Sequence, residues 1–260
     1  MTDIPILTPV RLGFAAALVS VTLSLGAHAA TPDSWWVDIV NDRASNVRNE
    51  LARGADPNAV NDEDLPTLML AIRSEAWEVY DALLAHRATQ VDAENKHKET
   101  ALMYLALLGQ TDRAAKLIER GAKVNRLGWT PLHYAASRGQ TETARMLIER
   151  GAIVHAPAPD GTTPLMMAAY SGDRDTVQLL LDHGADATAI NINKHTAADW
   201  ARERRHTALA EQLDAVAQRT IAQREGRVPP PAPASTSSQT KKPAGSTNKY
   251  FDLDRFERQD

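Results

Sequence analysis

The sequence predicts an all-α solenoid of about six helix-turn-helix repeats, and three observations indicate it. The stretch TPLHYAASRGQTETARMLIERGA, which begins at Thr130, shares fourteen of its twenty-three residues with TALMYLALLGQTDRAAKLIERGA, which begins at Thr100. Weaker copies begin at Thr163 and Thr196, each thirty-three residues after the one before, and such a period is typical of stacked repeats. Aromatic residues make up 5% of the chain while alanine and leucine are abundant, which favours closely packed helices over β-sheets.

The first 29 residues are predicted to be a secretory signal peptide. An apolar run, LGFAAALVSVTLSLG, spans residues 12–26 and is short for a membrane span. Ala27-His28-Ala29 follows it and has the small residues that signal peptidase accepts. Cleavage after Ala29 would place the mature chain in the bacterial periplasm or outside the cell. The alternative is an uncleaved anchor through residues 12–29 that holds the protein at the inner membrane.

Residues 33–226 are predicted to form the repeat domain. Its units lie near residues 33–62, 65–96, 99–126, 129–159, 162–192 and 195–225. In the fourth unit, Thr130 precedes Pro131, so a hydroxyl can cap a helix whose first residue is proline. Gly139 supplies the turn to a second helix, and Gly151 lies where a left-handed helix end is expected. Helices of about ten residues are marginal alone, so each pair depends on the next unit to cover its apolar face.

The fourth unit resembles the ankyrin repeat. It spells that family's Thr-Pro-Leu-His-x-Ala-Ala signature at residues 130–136, and the chain keeps the family's period of thirty-three residues. The resemblance extends from Asp33 to Arg224. It implies an ankyrin-repeat solenoid in which each helix pair is followed by a short β-hairpin finger. It also implies a protein that binds other proteins through its finger tips and concave helix face and that is not an enzyme.

Four departures from the repeat pattern lead to structural expectations. Arg87 replaces the glycine that closes four other units, so the helix there must end in another conformation or accept strain. His133 has methionine at its equivalent positions in three other units. The finger that follows the third unit is three residues shorter than its neighbours, so residues 125–128 are predicted to leave a notch beside Trp129. The sixth unit lacks the closing Gly-Ala and continues with helical spacing, which predicts a longer capping helix.

Beyond the repeats, the composition changes twice. Residues 227–248 are rich in proline, serine and threonine and are predicted to be a disordered linker. The chain ends in KYFDLDRFERQD at residues 249–260, which holds Tyr250 and two of the three phenylalanines, Phe251 and Phe256. Aromatic residues after a linker indicate a short peptide that binds something. The alternative is a solvated tail that merely contains them.

The residue pattern offers no starting point for catalysis. Cysteine is absent, which excludes thiol chemistry and Cys-ligated metals. Seven histidines follow the signal segment without metal-ligand spacing, and no nucleophile elbow, phosphate-binding loop or dinucleotide fingerprint occurs. The net charge of −4 gives no reason to expect the basic face with which proteins bind nucleic acid. We therefore expect no catalytic residue, no metal and no cofactor. We also expect that the protein does not bind nucleic acid, and that it does not bind a membrane unless the signal segment stays uncleaved.

The resemblance places candidate partner-binding residues at the ends of the first helices and on the finger sides: Arg73, Leu107, Leu108, Trp129, Arg138 and Tyr170. Leu107 and Leu108 would expose apolar area where other units are mostly polar, a feature typical of interaction sites. The alternative is that the third unit is shifted and both leucines belong to the core. The protein is expected to be a monomer that binds an unknown protein. A second function is a structural or tethering element whose peptide at residues 250–256 docks on the array or recruits an envelope component.

Overall fold

The computed structural model describes residues 34–226, which form twelve α-helices arranged as six consecutive pairs. The predicted signal segment, the predicted linker and the C-terminal peptide lie outside the described residues. The first helix of each pair, called an inner helix, is α1 (Trp35–Val40), α3 (Thr67–Arg73), α5 (Ala101–Leu107), α7 (Pro131–Ser137), α9 (Pro164–Ser171) or α11 (Ala197–Glu203). The second, called an outer helix, is α2 (Ala44–Ala52), α4 (Trp77–Ala85), α6 (Thr111–Glu119), α8 (Thr141–Glu149), α10 (Arg174–Asp182) or α12 (Thr207–Arg224). The predicted all-α solenoid is confirmed.

The pairs stack side by side around one continuous core. Each inner helix packs against the inner helix of the next pair, from α1 through α11. Alanines make this close approach possible, and Ala135, Ala136, Ala168 and Ala169 are completely buried. The same core reaches from Trp35 in the first pair to the last pair. Each unit therefore gains its stability from its neighbours, as expected for helices this short.

Two of the inner helices, α9 and α11, begin at threonine caps of the kind that the sequence predicts, and in α7 the hydroxyl of Thr130 lies 2.8 Å from Nδ1 of His133. In α9 the hydroxyl of Thr163 accepts a hydrogen bond from the backbone N–H of Met166 at 3.3 Å, and Pro164 occupies the first helical position. In α11 the hydroxyl of Thr196 accepts from the N–H of Asp199 at 3.2 Å. These bonds satisfy N–H groups that a helix start leaves without an intrahelical acceptor.

Helix α4 ends without the glycine that follows the other outer helices, because Arg87 occupies that position. All five other outer helices are followed, two residues after their last residue, by a glycine with positive φ, which ranges from 69° to 104°. In contrast, α4 ends at Ala85 and the next residue, His86, is already extended with ψ of 123°. Arg87 is not among the residues with positive φ. The helix therefore ends in an extended residue and not in a left-handed one. The Thr89 hydroxyl donates a hydrogen bond to the carbonyl of Leu83, in the last turn of α4, at 2.6 Å.

The fingers are tight turns. Within residues 34–226 they contribute two isolated antiparallel bridges and no longer strand. In three of them an asparagine Oδ1 accepts two backbone N–H groups, as Asn95 does from His97 and Glu99. The shortened finger lacks this turn but keeps a residue with positive φ, Gly128 at 85°. Its Asn125 instead bonds to the next unit, donating to the carbonyl of Gly151 at 2.7 Å.

The last helix, α12, is eighteen residues long, twice the length of the other outer helices. This agrees with the capping helix that the sequence predicts. Its last residue, Arg224, reaches back to the fifth finger and pairs with Asp186 at 3.0 Å. None of the helices in the described part of the chain is both long enough and apolar enough to cross a bilayer.

Candidate functional site

The candidate residues lie at or near the ends of the inner helices or in a finger beside them. Arg73 is the last residue of α3, Arg138 caps α7, and Arg204 caps α11. Leu108 caps α5, and Trp129 lies two residues before α7 begins. We call the surface formed by these five residues the inner face. It extends from the second unit to the sixth.

The expectation of an exposed leucine pair is wrong for Leu107. Its side chain is 2% exposed, and Leu108 is partly buried and packed against the core. The residues at the same register in the next two units, Ser137 and Tyr170, are also buried, at 4% and 8%. This position therefore faces the core because of its place on the inner helix, so the alternative reading of a core leucine holds for Leu107. The residue that follows it, Leu108, is only partly buried and belongs to the inner face instead.

Tyr170 supports its neighbours. Its ring meets the ring of Trp200 edge to face, with centroids 5.5 Å apart. The guanidinium of Arg204 lies 4.5 Å from the centroid of the same Tyr170 ring, within the range of a cation–π interaction. This stack holds Arg204 in place on the inner face. Tyr170 was predicted to contact a partner directly, whereas its burial assigns it to the layer beneath the surface.

Arg73 is tied to its own finger. Its guanidinium forms an ion pair with the carboxylate of Glu63 at 2.6 Å, and its side chain is 19% exposed. The pairing lowers the pKa of Glu63, chiefly through the hydrogen bond that Arg73 donates. Another guanidinium nitrogen, Nε, is buried without a hydrogen-bond partner among the described residues. The Glu63 carboxylate therefore compensates the charge of Arg73 and holds its guanidinium in a fixed orientation.

The surroundings of Trp129 join two fingers. Its ring meets His133 edge to face at 5.2 Å, and Leu127 beside it is 98% exposed at the tip of the short finger. Arg126 crosses to the preceding finger and pairs with Glu94 at 2.5 Å. A Cβ added to Gly128 would lie 3.6 Å from Cγ of Pro159, so the following finger approaches closely. The notch beside Trp129 stays a prediction.

A buried carboxylate holds the inner face together. Glu99 is 4% exposed, and its carboxylate accepts hydrogen bonds from Asn95 Nδ2 at 2.7 Å and from the hydroxyls of Tyr104 at 3.2 Å and Tyr134 at 2.6 Å. One side chain thus links its finger to α5 and α7. The sequence analysis missed the two tyrosines. Their signal was available, since both near-identical copies carry tyrosine at the same place.

His133 forms a second buried link between units. The backbone N–H of Thr130 donates to His133 Nδ1 at 3.1 Å, so Nδ1 is the acceptor and Nε2 carries the proton. Nε2 lies 3.1 Å from the carbonyl oxygen of Thr162 in the next unit, to which it donates. The ring is completely buried, and this burial lowers the pKa of His133 to about 4. The neutral ring therefore connects the start of α7 to the following finger.

This pKa predicts that acid weakens the array through His133. The unfolded chain takes up a proton near pH 6.5 whereas the folded chain does so near pH 4, so the contribution of neutral His133 is complete above pH 6.5. It is lost as the pH falls and is gone near pH 4. Between pH 7.5 and 4.5 the free energy of unfolding should fall by about 2–3 kcal/mol more in the natural chain than in His133→Met. Urea unfolding at both pH values measures this, and equal falls in the two proteins would contradict it.

The described residues contain no group of three or more side chains that could hold a metal ion. The carboxylates that are buried serve as hydrogen-bond acceptors, as Glu99 does for the two tyrosines. The inner face thus consists of arginine guanidiniums and apolar side chains above a fixed polar layer. Arginine and aromatic side chains of this kind are enriched among residues that dominate protein interfaces.

Comparison with known proteins agrees with this architecture. The model of the family described as ankyrin repeats (3 copies) matches the chain at residues 40–127, 68–158, 123–191 and 153–214. The overlapping matches run from α1 to α12 and cover more than half of the chain. Ankyrin repeats are generally protein–protein interaction modules, and members of the family are typically not enzymes. The chain belongs to the ankyrin-repeat family.

Proposed function

We propose that the protein is exported to the bacterial envelope and there binds a protein partner through the inner face. The observation that carries the proposal is the composition of that face. Three arginines, Arg73, Arg138 and Arg204, end or cap inner helices, and the partly buried apolar side chains of Leu108 and Trp129 lie at such an end and in a finger. Charged fork-shaped donors beside apolar surface suit a partner that offers carboxylates and apolar side chains.

The rigidity of this face supports the proposal. Arg204 is stacked on Tyr170, Arg73 is paired with Glu63, and the layer beneath is fixed by Glu99. A surface that is ordered before binding loses little conformational entropy when a partner arrives. A binding role without catalysis is also what is typical of the ankyrin-repeat family. In this proposal the protein acts as a monomer and uses no cofactor.

Export is supported by the sequence pattern of residues 1–29. The apolar run and the Ala-x-Ala motif favour cleavage after Ala29, and the absence of cysteine means that export demands no disulfide chemistry. A periplasmic location would also restrict the partner to an envelope or secreted protein. The uncleaved form would present the same inner face at the inner membrane.

Photo-cross-linking in living cells tests the proposal. A photoreactive phenylalanine derivative is placed at Leu127 or Ser171, beside the inner face, and at Lys116 or Arg145 on the outer helices as matched exposed controls. We expect one envelope protein to be captured from the two inner positions and not from the outer ones, joined to a chain that begins at Ala30. Equal capture from both sides would refute the inner face, and a cytoplasmic adduct that retains Met1 would refute export.

A further inference from the structure

The junction between the second and third units carries a bulkier inner-helix residue than the junctions that follow it. Three residues before the turn that ends each inner helix, α5, α7 and α9 carry the buried alanines Ala106, Ala136 and Ala169. In α3 the same register holds Ile72, which is also completely buried. A branched side chain keeps neighbouring helices farther apart than alanine does. Accordingly, α3 and α5 pack against each other less extensively than α5 and α7 do.

In the three later junctions, the turn between inner and outer helix receives a side chain from the next unit. The turn residue is a glycine with positive φ, and the space of its missing Cβ is filled. A Cβ added to Gly139 would lie 2.6 Å from Cβ of Asp173, and one added to Gly109 would overlap the side-chain amide of Gln140. Gln140 also donates to the carbonyl of Leu107 at 3.2 Å. These contacts fix each unit on the turn of the unit before it.

The second unit has Glu75 at this turn. Its φ is 52°, a left-handed conformation that is unfavourable for a residue with a Cβ, and its side chain is exposed. The Cβ takes the space that glycine leaves open in the later units. Gln110, the counterpart of Gln140, instead accepts a hydrogen bond from Arg113 Nη1 in its own helix at 2.9 Å. The junction between the second and third units therefore lacks the packing found in the next three.

The outer helices are also farther apart at this junction. Between α6 and α8 the hydroxyls of Thr111 and Thr143 lie 2.7 Å apart, and threonine side chains are so short that they meet only across closely packed helices. Between α4 and α6 the hydroxyl of Tyr80 donates to the carbonyl of Arg113 at 3.2 Å, and the Arg113 guanidinium lies 4.3 Å from the ring centroid of Trp77. Whole aromatic side chains thus separate α4 from α6, which approach each other less closely than α6 and α8 do.

The other hydrogen bonds and ion pairs across this junction, among the described residues, lie at helix ends and in fingers. They join Arg120 to the carbonyl of His86 at 3.1 Å, Arg126 to Glu94 at 2.5 Å, and the N–H of Lys123 to Asp92 at 2.9 Å. Two of the three use arginine side chains, whose rotatable bonds allow them to follow a small displacement. These links therefore hold the units together without fixing their relative position.

The junction between the first and second units is closed in a different way. Its turn residue, Asp42, accepts a hydrogen bond from the N–H of Val79 at 2.8 Å and so caps the first turn of α4. Asn58 in the first finger donates to the carbonyl of Ala88 at 2.9 Å and accepts from the N–H of Gln90 at 2.7 Å. The outer helices α2 and α4 also pack directly against each other. The first two units are therefore fixed to each other.

We propose that the array contains a flexible joint between the second and third units, so that the first two units move as one block relative to the last four. Small sliding of packed helices is an established form of conformational change. Arg73 belongs to the first block, whereas Leu108, Trp129, Arg138 and Arg204 belong to the second. The joint changes the separation of Arg73 from the rest of the inner face, while the ion pair that holds Arg73 stays within its own block. This motion goes beyond the proposed function, because it requires no partner.

Distances between spin labels test the joint, since the chain contains no cysteine and labels can be attached at chosen positions. One pair of cysteines replaces Asp81 and Gln178, in the second and fifth units, and the other replaces Lys116 and Glu211, in the third and sixth. All four residues are exposed on outer helices, and each pair is three units apart, about 24–30 Å at ordinary helix spacing. By double electron–electron resonance, we expect the first distance distribution to be at least twice as wide as the second. Equal widths would overturn the proposal.

Local unfolding of the first two units is a different explanation for a wide distribution. Amide hydrogen exchange of the full-length protein distinguishes it from motion of a folded block. If the block stays folded, the amides of α3 and α4 should exchange at least about a hundredfold more slowly than in an unstructured chain. Fast exchange throughout both helices would mean that these units unfold, and the proposed block motion would be wrong.

A matched pair of glycine substitutions locates the cause. Glu75→Gly removes the Cβ from the turn and allows Gln110 to pack there, so it should narrow the distribution of the first pair toward that of the second. Lys194→Gly relieves the same kind of backbone conformation, with φ of 61°, in a finger far from the joint, and it should leave both widths unchanged. An unchanged width in Glu75→Gly would overturn the assignment of the joint to this turn.

These measurements contain no partner protein. Their failure therefore leaves partner binding at the inner face intact, and absence of a cross-linked partner leaves the joint intact.

Discussion

Replacing His133 with alanine is expected to lower the free energy of unfolding by about 2–4 kcal/mol. The substitution removes a completely buried ring and leaves a cavity beneath Trp129. It also leaves the N–H of Thr130 without its hydrogen bond to the ring, whereas the carbonyl of Thr162 loses the ring but still accepts from the N–H of Ala158 at 2.8 Å. The loss combines a packing cost with one unsatisfied N–H group and one lost hydrogen bond between units, which places it among the largest single-residue effects expected in this array. Urea unfolding at pH 7.5 measures it.

The chain provides its own control for this experiment. Methionine occupies the equivalent position in three other units, and Met69, Met103 and Met166 are all buried. In the fifth unit the sulfur of Met166 lies 3.4 Å from the backbone nitrogen of Thr163 and takes over part of the capping role. His133→Met should therefore fill the cavity, lose chiefly the bond to the next unit, and cost about 1 kcal/mol. If alanine costs no more than methionine, the buried network does not stabilise the array.

The fold was predictable because its determinants are local and repeated. Thr130 and Pro131 specify where α7 begins, and Gly151 specifies how α8 ends. Each of these residues acts within one turn of helix, so the sequence around it is sufficient. Arg87 marks the limit of this reasoning. The sequence showed that a glycine was missing, but the extended His86 that replaces it depends on the Thr89 hydroxyl three residues later.

The inner face was harder to predict because it depends on how inner helices rotate against each other. Leu107 and Leu108 are neighbours at the end of α5, and the sequence does not distinguish them. The rotation of this helix about its own axis decides which of the two leucines is buried. In the structure Leu107 is in the core. An aspartate at this position would bury a charge and unfold the unit, so it cannot serve as a probe of binding. Leu108 and Arg138 are the informative positions.

The links around Glu99 and Tyr134 illustrate a second limit. These residues are thirty-five positions apart, and stacking of one unit on the next brings the carboxylate within 2.6 Å of the hydroxyl. A single repeat contains no information about a contact that two repeats create. Repeated tyrosines in the same register are a usable signal, because polar groups on buried side chains require partners. The export segment and the C-terminal peptide lie outside the described residues, so their roles remain proposals.

The affinity of the cross-linked partner for variants of the inner face tests the central claim most directly. Trp129→Ala combined with Arg138→Ala removes an aromatic and a guanidinium anchor, and it should weaken binding at least a hundredfold, about 3 kcal/mol. The paired control, Lys116→Ala with Arg145→Ala on the outer helices, should change the affinity less than twofold. Both proteins must remain folded, as judged by their urea midpoints. A hundredfold loss confined to the inner face is the result we expect, and equal affinity in the two double variants would contradict it.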